Sequence, residues 1–511
     1  MRPENVGGAH DGEATEIEAL LAEHPHVKDV VVLACEDDPG EKRLAAYLVA
    51  DLTKLKSLKQ TGSRQASAQM IDRWNRLYEL TYSTGPLGPS FVGWTSSYTR
   101  EAIPEDQMRE WLQATLERIQ ALAPRRILEI GCGVGLLLQH LAPQCLAYVG
   151  TDFSASAIAR LREWIGRQEG LKHVEVLKRT AIELQDLQTA SFDTAVLSSV
   201  VQYFPDVEYL LSTLEGIVRL LTPGGRIFIG DVKNLRLLPT FYGAVQLDRA
   251  TDSNSVGEVR RRVAQAATQE TELAIEPEFF EALPGRFPGI SAVEVQLRRG
   301  HAQNEMSCYR YDVVLYTGEH FRRDVIYEPL KWQPEDGFLL KVEAALRERR
   351  WRALQLCSIP NLRLARDVAV RKLLDASEKT LRVHALRREL DHLELSGTDP
   401  EAFWRWGESY GYHVSVGWGS REFPDCFEVR FLDSNKPDEI QPKVDVPTVE
   451  SGRPWAEYAN DPLENRIGRE FILELREYLR PLVPEYAIPS VWTLLNKLPR
   501  GPRGNVDRHA L

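Results

Sequence analysis

The chain has 511 residues, 27% of them charged and 43% in the apolar set from Ala to Cys. That balance is ordinary for a globular protein with a sizeable core and excludes bulk disorder. Lys and Arg total 63 against 74 Asp and Glu, a formal charge of −11, so no basic balance points to a nucleic-acid partner. Length suggests about three domains as a soft prior. No stretch approaches the ~18 uninterrupted apolar residues of a membrane span, so no membrane partner is expected. Residues 1–12 lack the apolar core of a secretory signal. Six cysteines (Cys35, Cys132, Cys145, Cys308, Cys357, Cys426) are scattered without a C-x-x-C pair. This predicts a reduced, cytoplasmic protein with no disulfide framework and no metal site.

Residues 16–21 are patterned as an amphipathic helix that His24-Pro25 ends. Residues 30–34 and 44–49 read as short strands around the turn Asp37-Asp38-Pro39-Gly40. This first piece, 1–52, is too small for a robust core and needs a partner elsewhere. A Lys/Ser-rich linker is expected near 53–62. Helical patterns follow at 66–82 and 105–122, with an aromatic, Gly- and Pro-rich loop between them. Strands are then expected at 126–130, 147–151, 173–177, 194–197 and 226–230, alternating with helices. Such alternation predicts an α/β domain with a parallel sheet. Residues 292–298 and 309–316 alternate apolar and polar side chains and predict an antiparallel hairpin at the sheet edge. The remainder reads as a mixed accessory α/β region (327–432), a Pro/Asp/Ser-rich linker (433–460) and a tail (461–511) with a helix at 465–479.

The strongest local signal is Glu129-Ile130-Gly131-Cys132-Gly133-Val134-Gly135, leaving the first of these strands. Glycines there let backbone approach a ligand closely. The dinucleotide pattern G-x-G-x-x-G would need glycine at Leu136. The actual spacing, with Glu129 two residues before Gly131, resembles the S-adenosylmethionine loop of class I methyltransferases. A purely structural glycine turn is the alternative. Asp152 closes the next strand, where a carboxylate can accept hydrogen bonds from both ribose hydroxyls. Ligands of open parallel sheets bind beyond the carboxyl ends of the strands. That rule adds Phe153 and Ser154, then Thr180, Ala181 and Ile182, where class I methyltransferases cap adenine. It also adds Ser198, Gln202 and Tyr203, then Asp231, and finally the hairpin tip at 300–306.

Several segments carry a closer resemblance. Phe91-Val92-Gly93-Trp94-Thr95-Ser96-Ser97-Tyr98, Ile103-Pro104 and Met108-Arg109-Glu110-Trp111 are similar to the opening of methyltransferase domains embedded in nonribosomal peptide synthetases. So are Ser199-Val200-Val201-Gln202-Tyr203-Phe204-Pro205, Gly230-Asp231-Val232-Lys233-Asn234-Leu235 and Asn304-Glu305-Met306-Ser307-Cys308-Tyr309-Arg310 with the strand after it. The resemblance spans about residues 70–432. It implies a class I Rossmann-like fold with a seven-stranded sheet and a helical N-terminal lid, and S-adenosylmethionine as cofactor. The acceptor it implies is an amine, less often a hydroxyl, of a residue on the phosphopantetheine arm of a peptidyl carrier protein, with neighbouring synthetase domains as partners. The flanks resemble the two ends of one small α+β adenylation-type subdomain into which the methyltransferase is inserted. Pro484-Glu485-Tyr486-Ala487-Ile488-Pro489 carries the second end. Gly504 is followed by Asn505 where that family has a catalytic lysine, so the flanks read as noncatalytic.

Within this frame His301 and Glu305 are the expected base and its orienter. Asn304 joins them, and Gln202, Tyr203, Asp231 and Tyr309 shape the acceptor pocket. Trp94 and Tyr98 are expected to pack over the sulfonium. Three readings stay open: O-methylation of a carrier-bound residue, favoured by the noncatalytic flank and with a tyrosine side chain as a candidate acceptor; N-methylation of its α-amine; and a noncatalytic scaffold. Arg322-Arg323, Arg347 to Arg350 and Arg387-Arg388 are candidate carrier-docking patches.

Overall fold

The computed structural model describes residues 10–38, 41–51, 63–84, 87–91, 93–318, 325–335, 337–434, 453–495, 497–501 and 505–508. The turn tip at 39–40, the linker at 53–62, Arg322-Arg323 and residues 435–452 lie outside them. Two compact units form: Met1–Asp72 with Pro462–Leu511, and Arg73–Asp461.

The first unit joins both ends of the chain. Strands β1 (Val27–Asp38) and β2 (Glu41–Ala50) pair antiparallel. A strand from the tail, Val491–Leu494, adds to β2 in parallel, Val491 facing Ala45 and Leu494 facing Leu48. Ile17 and Leu21 of the helix His10–Ala22 share one core with Val32, Leu48 and the tail residues Phe471, Leu475 and Leu479. Each piece carries an apolar face that only the other covers, so burial drives the two ends together.

The second unit is built on β3 (Arg126–Ile130), β4 (Ala147–Asp152), β5 (Val174–Lys178), β6 (Phe192–Ser198), β7 (Leu221–Asn234), β8 (Ala274–Ile275), β9 (Ile290–Leu297) and β10 (Arg310–Thr317). They form one sheet in the order β5-β4-β3-β6-β7-β10-β9, with β8 beside β7. Only β10 runs antiparallel to its neighbours. This is the class I methyltransferase order, with the two-residue β8 added to the seven expected strands. Successive residues feed opposite faces. Ile127, Val196 and Phe228 enter one core, and Leu128, Ala195, Leu197, Ile227 and Ile229 the other. Burial on both faces is why these strands read as continuous apolar runs. β7 extends to Asn234, past the expected end at 230, because Val232 and Lys233 go on pairing with Tyr311 and Arg310.

β11 (Glu328–Lys331), β12 (Ala353–Pro360), β13 (Tyr412–Trp418) and β14 (Cys426–Asp433) form a second sheet, ordered β11-β12-β14-β13. Its Leu354, Leu356, Phe427 and Phe431 belong to the same core as Ile229, Leu297 and Val313. The accessory region is therefore continuous with the methyltransferase core. The linker expected over 433–460 is corrected at its far end. Tyr458 is buried, Trp455 sits edge-to-face on Phe279 at 5.4 Å, and Tyr458 O accepts from Glu276 N–H at 2.8 Å. Composition pointed to a linker, but two aromatics supply enough apolar surface to hold these residues on the core.

Candidate active site

The glycine loop is shaped by backbone requirements. Gly131, Gly133 and Gly135 all have positive φ, at 75°, 50° and 84°. A side chain at Gly131 would also strike Val200, and one at Gly135 would lie 2.6 Å from Leu161. Gly131 and Cys132 donate their N–H groups to Thr151 O at 2.7 and 2.9 Å, tying the loop to the end of β4. Gly133 N–H then donates to Asp152 Oδ2 at 2.9 Å, and Ser154 N–H to Oδ1 at 2.8 Å. Burial pushes the Asp152 carboxyl up to about 6 despite those two donors. Beneath the loop, burial raises Glu129 to about 7, against the hydrogen bond it accepts from Tyr148 Oη at 2.7 Å. Cys132 is buried and its thiol is pushed up by burial, which makes it structural.

The aromatic cover differs from expectation. Trp94 packs on Trp111 at 4.9 Å, and Tyr98 lies edge-to-face with Phe241 at 5.9 Å and donates to Asp367. The rings over the loop come instead from the helix Ser63–Thr84, which carried no motif. A Cβ on Gly133 would lie 3.2 Å from Tyr82 Oη; Tyr78 stacks on Tyr82 and meets Phe153 and Tyr203; Trp74 meets Tyr203 at 4.7 Å. Glu79 of the same helix accepts from Ser154 Oγ at 3.0 Å and Ser156 N–H at 3.2 Å. Ser154 in turn caps the helix Ala155–Gly166. After β5, Thr180 donates to Glu183, Ala181 is buried and Ile182 is 37% exposed.

The ends of β6 and β7 hold a strained, charged floor. Ser199 and Asp231 have φ of 58° and 68°, unusual for residues with a side chain. Asp231 is fully buried and its Oδ2 accepts from Ser199 Oγ and Arg310 Nη1, each at 2.8 Å. Its Oδ1 has no hydrogen-bond partner, and neither do Ser198 Oγ, Gln202 Oε1 or Asn234 Nδ2. Leaving such a group unpaired costs about 1–3 kcal/mol. Beside them Lys233, Asn234, Leu237, Leu238, Phe241, Glu305, Tyr309 and Arg310 line a small cavity of about 10 Å³. Lys233 is ion-paired to Glu270 and Glu272, which outweigh burial and hold it above its ordinary value.

The hairpin tip corrects the expected catalytic group. His301 is exposed, and its contact is backbone: the N–H groups of His301 and Ala302 donate to Glu110. Asn304 caps the short helix Glu305–Cys308 and donates to Gln107 at 2.8 Å. Glu305 does line the cavity, but its carboxylate accepts from Ser97 N–H at 2.7 Å and Ser97 Oγ at 3.0 Å, with no contact to His301. The loop obeys its caps and backbone anchors, which spacing within the tip does not reveal. Tyr309 Oη donates to Asp367 Oδ2 at 2.5 Å, so the accessory region reaches the cavity wall. Of the docking arginines, Arg349 pairs with Asp433 and Arg387 with Asp252.

The sheet order, the glycine loop with its buried acid and the strand-end cavity define a class I methyltransferase. Residues 128–227 match the family of methyltransferase domains. The chain carries an S-adenosylmethionine-dependent methyltransferase domain, and its relatives are nonribosomal peptide synthetases. Over 98% of its length it is 36% identical to the chondramide synthase of Chondromyces crocatus. It is also 36% identical, over 98% of its length, to a probable non-canonical nonribosomal peptide synthetase of Salinispora arenicola. It spans 13% and 6% of those proteins. Among solved structures, the N-methyltransferase NodS of Bradyrhizobium japonicum is 19% identical over 42% of this chain and 96% of its own, with a TM-score of 0.27. No described helix is long and apolar enough to cross a membrane.

Proposed function

We propose that this unit methylates the α-amine of an aminoacyl group held on the phosphopantetheine arm of a carrier protein. The observation that carries the reading is a pair of buried acceptors that receive no hydrogen bond, Gln202 Oε1 and Asp231 Oδ1, the latter with Arg298 Nη1 3.8 Å away. An amine brings two or three N–H donors to such a pair, a hydroxyl only one. Charge points the same way. Glu305, Asp231, Glu270 and Glu272 outnumber Lys233, Arg310 and Arg298 in and behind the cavity wall. Excess carboxylate favours a cationic acceptor and opposes the alkoxide or phenolate that oxygen methylation calls for.

S-adenosylmethionine supplies an electrophilic methyl group. The loop from Gly131 to Gly135 and Asp152 hold the cofactor, and Tyr78 and Tyr82 exclude water from it. Asp231 and Gln202 orient the amine, and Glu305 accepts the proton that frees its lone pair. Ser97 holds that carboxylate in place. Glu305→Gln should lower single-turnover methylation by about 100-fold, the lower end for a proton acceptor; a near-normal rate would remove Glu305 from the mechanism.

A second reading, methylation of a side-chain hydroxyl, draws on Asn505. The residue is exposed and stands where an adenylation domain has its lysine. A noncatalytic flank suits a tailoring step separate from residue selection. The deciding experiment supplies cofactor and aminoacyl-loaded carrier protein, then fragments the ejected arm by mass spectrometry. Methyl on nitrogen supports the proposal, and methyl on a side-chain oxygen replaces it with the second reading. Failure to bind S-adenosylmethionine by calorimetry would instead leave a scaffold.

A further inference from the structure

The terminal unit holds a convergence of side chains that plays no part in methyl transfer. His24 and His26 follow the first helix, and Glu474 comes from the tail helix Pro462–Leu479. His24 Nε2 lies 3.5 Å and His26 Nδ1 3.3 Å from the same oxygen, Glu474 Oε1. All three ligand atoms fall within 4.8 Å of one another. Tetrahedral ligands at bond lengths of roughly 2.0–2.1 Å are about 3.3 Å apart, so the two short edges already match a metal's coordination shell.

We propose that His24, His26 and Glu474 form a binding site for a divalent zinc-type cation that clips together the two halves of the split unit. Two imidazole nitrogens and one carboxylate oxygen are a zinc donor set, with water as the fourth ligand. The setting supplies the remaining conditions. His24 is buried, its ring packed edge-on against Tyr478 at 5.0 Å and beside Phe471 at 5.9 Å, which fixes its direction. His26 and Glu474 are 17% and 48% exposed, leaving a path for ion and water. Binding through Nε2 puts the ring proton on Nδ1 and releases the His26 N–H contact there, which at 3.4 Å is weak.

The site has a structural logic. His26 and Glu474 are 448 positions apart, and the methyltransferase lies between them. Closing so long a loop is where a metal clip gains most in chain entropy. Spacing in the sequence shows only His-x-His, because the third ligand comes from the other end of the chain.

The test uses the full, tag-free chain, stripped with chelator and titrated with zinc chloride by calorimetry. One saturable equivalent is expected. Glu474→Gln and His26→Asn should each weaken it at least tenfold, roughly what losing even an outer partner of a metal ligand costs, with circular dichroism unchanged. X-ray absorption should show nitrogen and oxygen neighbours. No saturable binding, binding unchanged in both variants, or sulfur neighbours that place the ion on cysteine would each overturn the proposal.

Discussion

At Asp152 one carboxylate serves two demands. Its oxygens accept the Gly133 and Ser154 N–H groups, which set the loop, yet burial holds its pKa near 6, well above the free value. The folded state therefore favours the protonated acid, and the cost of ionising it grows as pH rises from 3.8 through about 6. Hydroxyl donors from a ribose favour the ionised form. Affinity for S-adenosylhomocysteine should accordingly rise through pH 6 and level off above it, the same step persisting in Glu129→Gln; calorimetry showing a flat profile from pH 5 to 8 would contradict this. The glycines make a steric prediction. Gly131→Ala adds left-handed strain of about 1–2 kcal/mol and a clash with Val200 of about 1–3 kcal/mol. The sum of roughly 2–5 kcal/mol should appear as a lower denaturation midpoint. These residues were legible because only glycine satisfies the turn. His301 and Asn304 were misread because a hairpin tip can aim side chains anywhere, and here Glu110 and the Asn304 cap decide.

The helix Ser63–Thr84 shows what element-level pattern conceals. Its periodicity predicts a helix, but nothing in it announces that Tyr78 and Tyr82 cover the glycine loop or that Glu79 reaches the next helix. Burial would raise Glu79, but the Ser156 and Ser154 donors win and hold it below its ordinary value, so it is an ionised cap. Negative charge at a helix N-terminus is stabilising. Glu79→Ala should cost about 1 kcal/mol, as for loss of a side-chain cap, and should also unlatch the lid. Stopped-flow release of S-adenosylhomocysteine should then quicken; unchanged release with lowered stability would make Glu79 a cap alone. The core strands were legible because parallel strands buried on both faces are short apolar runs. β8 was not, since two residues leave no period. The tyrosine pair on Asp367 was not either, since it joins Tyr98, Tyr309 and a helix of the accessory region.

At the scale of the whole chain, length suggested about three domains, and contacts instead divide it into two units. The difference lies in two places where composition misleads. One is the pair of terminal pieces, each too small to bury a core, which share Leu21, Leu48, Phe471 and Leu475. The other is the last eight residues before the tail, where Arg453 lies 4.1 Å from the Tyr458 ring centroid and 2.7 Å from Glu276, and Asn460 takes the Ala274 N–H at 2.7 Å. These contacts make 453–460 a strap across β8 and the helix Pro277–Arg286, directly behind Glu272 and its ion pair with Lys233. Tyr458→Ala should then cost the methyltransferase unit about 3 kcal/mol, as for other large-to-small changes at buried aromatics. Hydrogen exchange should rise at Ala274 and Glu276, whose N–H groups the strap accepts, and leave β1 and β2 unchanged. Unaltered protection there would return these residues to linker status. Because the strap backs the wall that carries Lys233, the same variant should also weaken acceptor binding more than cofactor binding.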